Sequence, residues 1–135
     1  IIYPLRLDPY NPLSSNTCQE ILDHLDSLHM TALVERSGGL HNDPDWNWDD
    51  ALSPGEMQRV CFLRILFHQP HFAFLDESTS ALSLDVEDFL YKACQNCRIT
   101  LVSVGHRESL KQYHNSLITL DGMGGWKKEG LSTSA

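Results

Sequence analysis

The sequence predicts an α/β fold with a mostly parallel sheet and flanking helices, and three observations carry that prediction. From Ser53 onward, helix-forming stretches alternate with short apolar runs in the order helix, strand, helix, strand, helix, strand. Two of the runs, 71–75 and 99–104, are nearly continuous in apolar residues, the pattern of strands buried on both faces. The 135 residues are 41% hydrophobic and 21% charged, which is material for a packed core and not the profile of a disordered chain. Length alone allows one domain, at roughly 100–200 residues each. Within it, residues 1–52 read as an entry segment and helical subdomain, and 53–135 carry the regular α/β alternation.

Each element has its own local signals. Residues 1–15 contain Pro4, Pro9 and Pro12 and read as an extended, turn-rich entry. Over 16–34, Ile21, Leu22, Leu25, Leu28 and Leu33 recur at helical spacing, with Asn16 or Thr17 as the cap and Gly38-Gly39 as the stop. The loop 40–51 is acidic and aromatic, and its tryptophans, Trp46 and Trp48, are expected to anchor it to the core. Ser53-Pro54-Gly55-Glu56 is a capping box with proline at the first helical position. The helix it opens should run to about Phe67 and be mostly buried, with Cys61 a small buried hydrophobe. A strand then ends at Asp76, a helix covers 84–95, a second strand covers 99–104, a short helix covers 108–113, and a third strand covers 116–120.

Composition excludes several functions. Ten Lys+Arg against eighteen Asp+Glu give a net charge of −8, the wrong sign for a phosphate-backbone binder, so no nucleic-acid partner is expected. No run reaches the ~18 apolar residues of a membrane span, and the first six residues lack the basic region of a signal peptide. There is no initiating Met, so the chain reads as starting within something longer. Cys94-Gln95-Asn96-Cys97 is formally a C-x-x-C, but no second pair exists to complete a zinc ribbon, and no strand of thioredoxin type precedes it. Metal chemistry through His or Cys is therefore not expected.

In parallel sheets, ligands gather beyond the carboxyl ends of the strands, here Asp76-Glu77 and Gly105-His106. A carboxylate at such an end can hold Mg²⁺ through water, and a second beside it can orient or deprotonate an attacking water. The same pair also suits a plain acidic turn capping the next helix, and a lone His after a strand is often structural. The two readings stay open on these residues alone.

The motifs taken together are more specific. Leu52-Ser53-Pro54-Gly55-Glu56, Phe72-Ala73-Phe74-Leu75-Asp76-Glu77, Ser80-Ala81-Leu82 and His106 follow in one order. The set resembles the C-terminal part of an ATP-binding cassette (ABC) transporter nucleotide-binding domain: signature motif, Walker B with its catalytic glutamate, D-loop and switch histidine. The fold implied is part of a P-loop NTPase. Residues 45–59 and 103–110 resemble subfamily D, half-transporters of peroxisomal and lysosomal membranes. Pro54 and Met57 resemble its lysosomal cobalamin branch, and the tail 121–127 its peroxisomal fatty acyl-CoA branch.

The resemblance implies ATP and Mg²⁺ as cofactors and assigns roles. Ser53, Gly55 and Glu56 of the signature would face ATP bound to a partner subunit. Asp76 would organise Mg²⁺ through water, Glu77 would polarise the hydrolytic water, and His106 would contact the γ-phosphate. Ser80-Ala81-Leu82 would pass between the subunits. Implied partners are a second nucleotide-binding domain and the chain's own transmembrane domain, on the cytosolic face of an organelle membrane. Two residues depart from the family pattern: Pro54 replaces a glycine and removes a backbone N–H, and Ser83 stands where the D-loop usually has Asp. No G-x-x-x-x-G-K-[ST] occurs, so these 135 residues by themselves are expected to be inactive toward ATP. A DNA-maintenance ATPase of the same class would carry heptad arms, which are not seen. A non-catalytic remnant is the other alternative.

Overall fold

The computed structural model describes residues 14–42 and 44–131, so the proline-rich entry at 1–13 lies outside the described residues. The chain divides into two compact units, residues 1–70 and 71–135.

The first unit is helical. Helix α1 (Ser15–Ser27) is capped by Ser14, whose hydroxyl accepts the Thr17 N–H at 3.1 Å, rather than by Asn16 or Thr17. The single helix expected over 16–34 is broken in two. After α1 the chain turns through His29 at φ 53°, and α2 (Thr31–Arg36) begins afresh. The break is a Schellman closure: the His29 N–H donates to Asp26 O and the Met30 N–H to Leu25 O. Leu25 and Met30, on either side of it, are both buried, so the apolar periodicity continues across a backbone that does not. Gly38, at φ 77°, closes α2 in the same way, as its sequence position predicts.

Helix α3 (Trp48–Ala51) is a single turn capped by Asn47, and α4 (Pro54–His68) follows. Trp46 and Trp48 do not both anchor the loop. They meet edge to face at 5.3 Å, Trp48 is exposed, and the buried residue of the segment is Leu52. On α4 only Phe62, Leu63 and Leu66 are buried, and α1 packs against this helix. Cys61 is exposed, contrary to expectation, because it faces away from that stripe. An apolar run fixes how much of a helix could be buried, and the available neighbours decide how much is.

The second unit is α/β. Strands β1 (Phe72–Asp76) and β2 (Thr100–Val104) pair in parallel, Phe72 opposite Thr100 and Asp76 opposite Val104. Helix α5 (Leu84–Asn96) connects them and packs against β2. Leu90, Tyr91 and Cys94 of α5, Ala73 and Leu75 of β1, Ile99, and Leu110 and Tyr113 of a 3₁₀ helix (Glu108–Tyr113) are buried in this unit. Burying each large side chain contributes about 1.5–3 kcal/mol. The sheet has one covered face only: Phe74 is 80% exposed, and Phe72, Val102 and Val104 are exposed with it.

The third strand does not extend the parallel sheet. Strand β3 (Ser116–Leu120) pairs antiparallel with β4 (Trp126–Gly130) as a separate two-stranded sheet. The hairpin is set by its turn, where the Asp121 carboxylate accepts the N–H groups of Met123 and Gly125, and Gly122 and Gly124 take positive φ. The observed fold is thus mixed α/β with two small sheets. Among the described residues no helix is long and apolar enough to cross a membrane.

Cys94 and Cys97 close α5. Arg98, at φ 57°, donates to Gln95 O and Ile99 to Cys94 O, a second Schellman closure built without glycine. Burial pushes the Cys94 thiol up to about 12, which leaves it protonated and unreactive at neutral pH.

Candidate functional site

The predicted site residues fall into two clusters, one in each unit. In the first, the α4 N-terminus is organised by its capping box. Ser53 Oγ accepts the Glu56 N–H at 3.3 Å, and Glu56 Oε2 accepts the Ser53 N–H at 2.9 Å. Arg36 on α2 donates to the other carboxylate oxygen of Glu56 at 2.8 Å and to Ala51 O at 2.7 Å. The Glu56 carboxylate therefore turns back onto its own helix end. The Ser53 N–H and hydroxyl and the Arg36 guanidinium hold its pKa below the ordinary glutamate value, against a partial desolvation.

This geometry states what the tip can offer an anion. Pro54 has no N–H, the Glu56 N–H is taken by Ser53 Oγ, and the Met57 N–H by Ser53 O. At the first turn Gly55 contributes the remaining amide, with the positive end of a 15-residue helix behind it. Ser53 is exposed, and its hydroxyl, which also meets the Glu56 carboxylate, would have to turn from that carboxylate to donate to an anion.

The second cluster lies at the carboxyl ends of β1 and β2. Asp76 is the last residue of β1 and, by the period of two, sits on the exposed face with Phe72 and Phe74. Glu77 follows at φ 46°, a left-handed conformation that a non-glycine residue rarely takes. Its N–H donates to Val104 O at 2.9 Å, so the turn is tied directly to the end of β2. Two residues past Val104, His106 Nε2 stands 3.4 Å from Glu77 Oε1, with its ring almost fully exposed. A carboxylate and an imidazole thus meet in front of the strand ends, where one can accept a proton from water and the other can hydrogen-bond an anion.

The strand-end cluster also includes the tripeptide Ser80-Ala81-Leu82. The Ser80 N–H donates to Glu77 O at 3.2 Å and the Leu82 N–H to Thr79 O at 3.0 Å, which makes the loop a chain of tight turns. Ser83 caps α5 without a side-chain hydrogen bond, so the residue that departs from the family pattern leaves that cap unmade. Among the described residues no group of three or more His, Cys, Asp or Glu could cage a metal. One strand-end carboxylate is nonetheless a donor set that suits Mg²⁺, which keeps most of its water and takes further oxygens from a nucleotide's phosphates.

Sequence reasoning missed Glu87 and the reach of Arg107. Glu87 is fully buried and falls in the apolar stripe of α5 with Leu90, Tyr91 and Cys94. That placement was the available signal, since a carboxylate at a core position of an amphipathic helix requires partners.

No family model matches the chain. Over 94% of its length it is 44% identical to the lysosomal cobalamin transporter ABCD4 of Mus musculus, and 45% identical to that of Homo sapiens. Over 81% of its length it is 42% identical to the ATP-binding cassette sub-family D member 3 of Mus musculus. The chain spans about a fifth of the length of these curated relatives, 21% of the first two and 16% of the third. These matches identify the class, the ATP-binding cassette transporters. Within it, the chain belongs to subfamily D.

Proposed function

We propose that this chain supplies part of the ATPase site of a subfamily D transporter, energising transport as one of two paired nucleotide-binding domains. The observation that carries the reading is the 3.4 Å approach of His106 Nε2 to Glu77 Oε1 in front of the parallel strand ends, with Asp76 beside them. Mg²⁺, when bound with ATP, supplies charge neutralisation on the transferring phosphoryl group. Asp76 would hold it through water. Glu77 orients the attacking water and accepts its proton, and His106 hydrogen-bonds the γ-phosphate. Ser53 and the Gly55 N–H, at a helix N-terminus, face the phosphates of the nucleotide on the partner subunit. Glu56 serves that tip by shaping it, since its carboxylate is engaged by Ser53 and Arg36. Ser80-Ala81-Leu82 runs between the subunits.

The cargo reading follows the relatives: cobalamin export from the lysosome, with the transporter in that organelle's membrane and this chain on its cytosolic face. The tail 121–127 supports peroxisomal fatty acyl-CoA transport as a second reading. The ATPase reading is tested in the intact protein by Glu77→Gln. Loss of about 10²–10³ in hydrolysis rate with nucleotide binding retained is the expected result, the size of effect seen when one preorganised catalytic group is removed. Hydrolysis at the original rate would refute it.

A further inference from the structure

Behind the strand ends, Glu87 gathers three donors although it has no exposure to solvent. The Thr79 hydroxyl donates to Oε2 at 2.7 Å, Arg107 Nη1 to the same oxygen at 3.1 Å, and the Ser109 hydroxyl to Oε1 at 2.5 Å. Arg107 goes further. Nη1 also donates to Leu82 O at 3.0 Å, and Nη2 donates to Ser80 O at 2.9 Å. One guanidinium thus holds both ends of the 80–82 tripeptide, and its neighbour in the chain is His106. A carboxylate taken wholly out of water needs a paired charge and hydrogen bonds to its oxygens, and Glu87 has the Arg107 guanidinium and donors on both oxygens. Arg107 needs an anchor to keep its fork in one orientation across two carbonyls, and Glu87 is that anchor.

We infer that Glu87 is a positioning residue: acting through Arg107, it holds the Ser80–Leu82 backbone in register with His106, so that the subunit-crossing loop and the phosphate-sensing histidine move as one body. The inference rests on the ATPase reading above. Neither residue touches nucleotide, water or metal in this scheme. Losing the pair should therefore slow turnover while leaving ATP affinity alone, because a small misplacement of reacting groups is costly in rate.

The test uses the intact protein and compares Glu87→Gln, Arg107→Lys and the double variant, with rates normalised to the fraction that binds nucleotide. Glu87→Gln keeps the side chain's shape and removes its charge; Arg107→Lys keeps the charge and removes the fork. Each should lower kcat about tenfold or more with KM for ATP changed by less than about twofold, and the double variant should be no slower than the slower single one. Unchanged kcat in Glu87→Gln, losses that multiply in the double variant, or a rise in KM equal to the fall in kcat would each overturn the inference. If one variant does not fold, the other decides. Glu77→Gln is run alongside. If it too hydrolyses ATP at full rate, the ATPase reading has failed; if it alone is silenced, only the positioning role has.

Discussion

At the α4 N-terminus a few side chains do two jobs, and the first of them is stability. Ser53 and Glu56 satisfy each other's backbone N–H groups. Ser53→Ala should cost about 1 kcal/mol, read as a shift in the urea midpoint with an unchanged slope. The Glu56 carboxyl titrates below its ordinary value in the folded chain, so its contribution is complete above the unfolded glutamate pKa. That contribution is lost as pH falls through the folded pKa. Stability followed from roughly pH 5 down to pH 3 should fall, and Glu56→Gln should flatten that part of the curve. This tip was legible in the sequence, because a capping box is local chemistry between residues three apart. Arg36, twenty residues upstream of Glu56, was not, because nothing local marks which carboxylate a distant arginine will reach.

At the scale of elements, helix ends separate what could be read from what could not. Glycine marked the end of α2, whereas α1 and α5 end on His29 and Arg98, non-glycine residues held at positive φ by the same hydrogen bonds. A left-handed turn costs an L residue about 1 kcal/mol or more, so His29→Gly and Arg98→Gly should each raise stability by about 0.5–1 kcal/mol. An equilibrium melt that shows no gain would contradict the assignment of strain to those turns. Strands follow the same division. The cores of β1 and β2 were visible as apolar runs, while β4, Trp126-Lys127-Lys128-Glu129-Gly130, is exposed throughout and carries no burial signal. What reveals it is the Asp121 turn, which folds the chain back onto β3. Once that pairing is made, β3 belongs to the hairpin rather than to the parallel sheet.

Over the whole molecule, the largest consequence lies on the open face of the β1–β2 sheet. Phe72, Phe74, Val102 and Val104 form an exposed apolar face, which invites association. The 135 residues expressed by themselves should self-associate. Phe74→Ser should reduce that, read by sedimentation, with little loss of stability, since the side chain is 80% exposed. The sequence by itself determined the order of the motifs, the starts of α4 and α5 and the two parallel strands, because each rests on spacing within a few residues. It also carried the resemblance to subfamily D that the relatives then bore out. Only the tertiary structure decided which face of an apolar run is covered, which partner β3 takes, and that Glu87 gathers Thr79, Arg107 and Ser109 around one carboxylate. The Glu87 cluster depends on groups 8 to 22 residues apart being brought within hydrogen-bond reach, and a linear pattern does not encode that proximity.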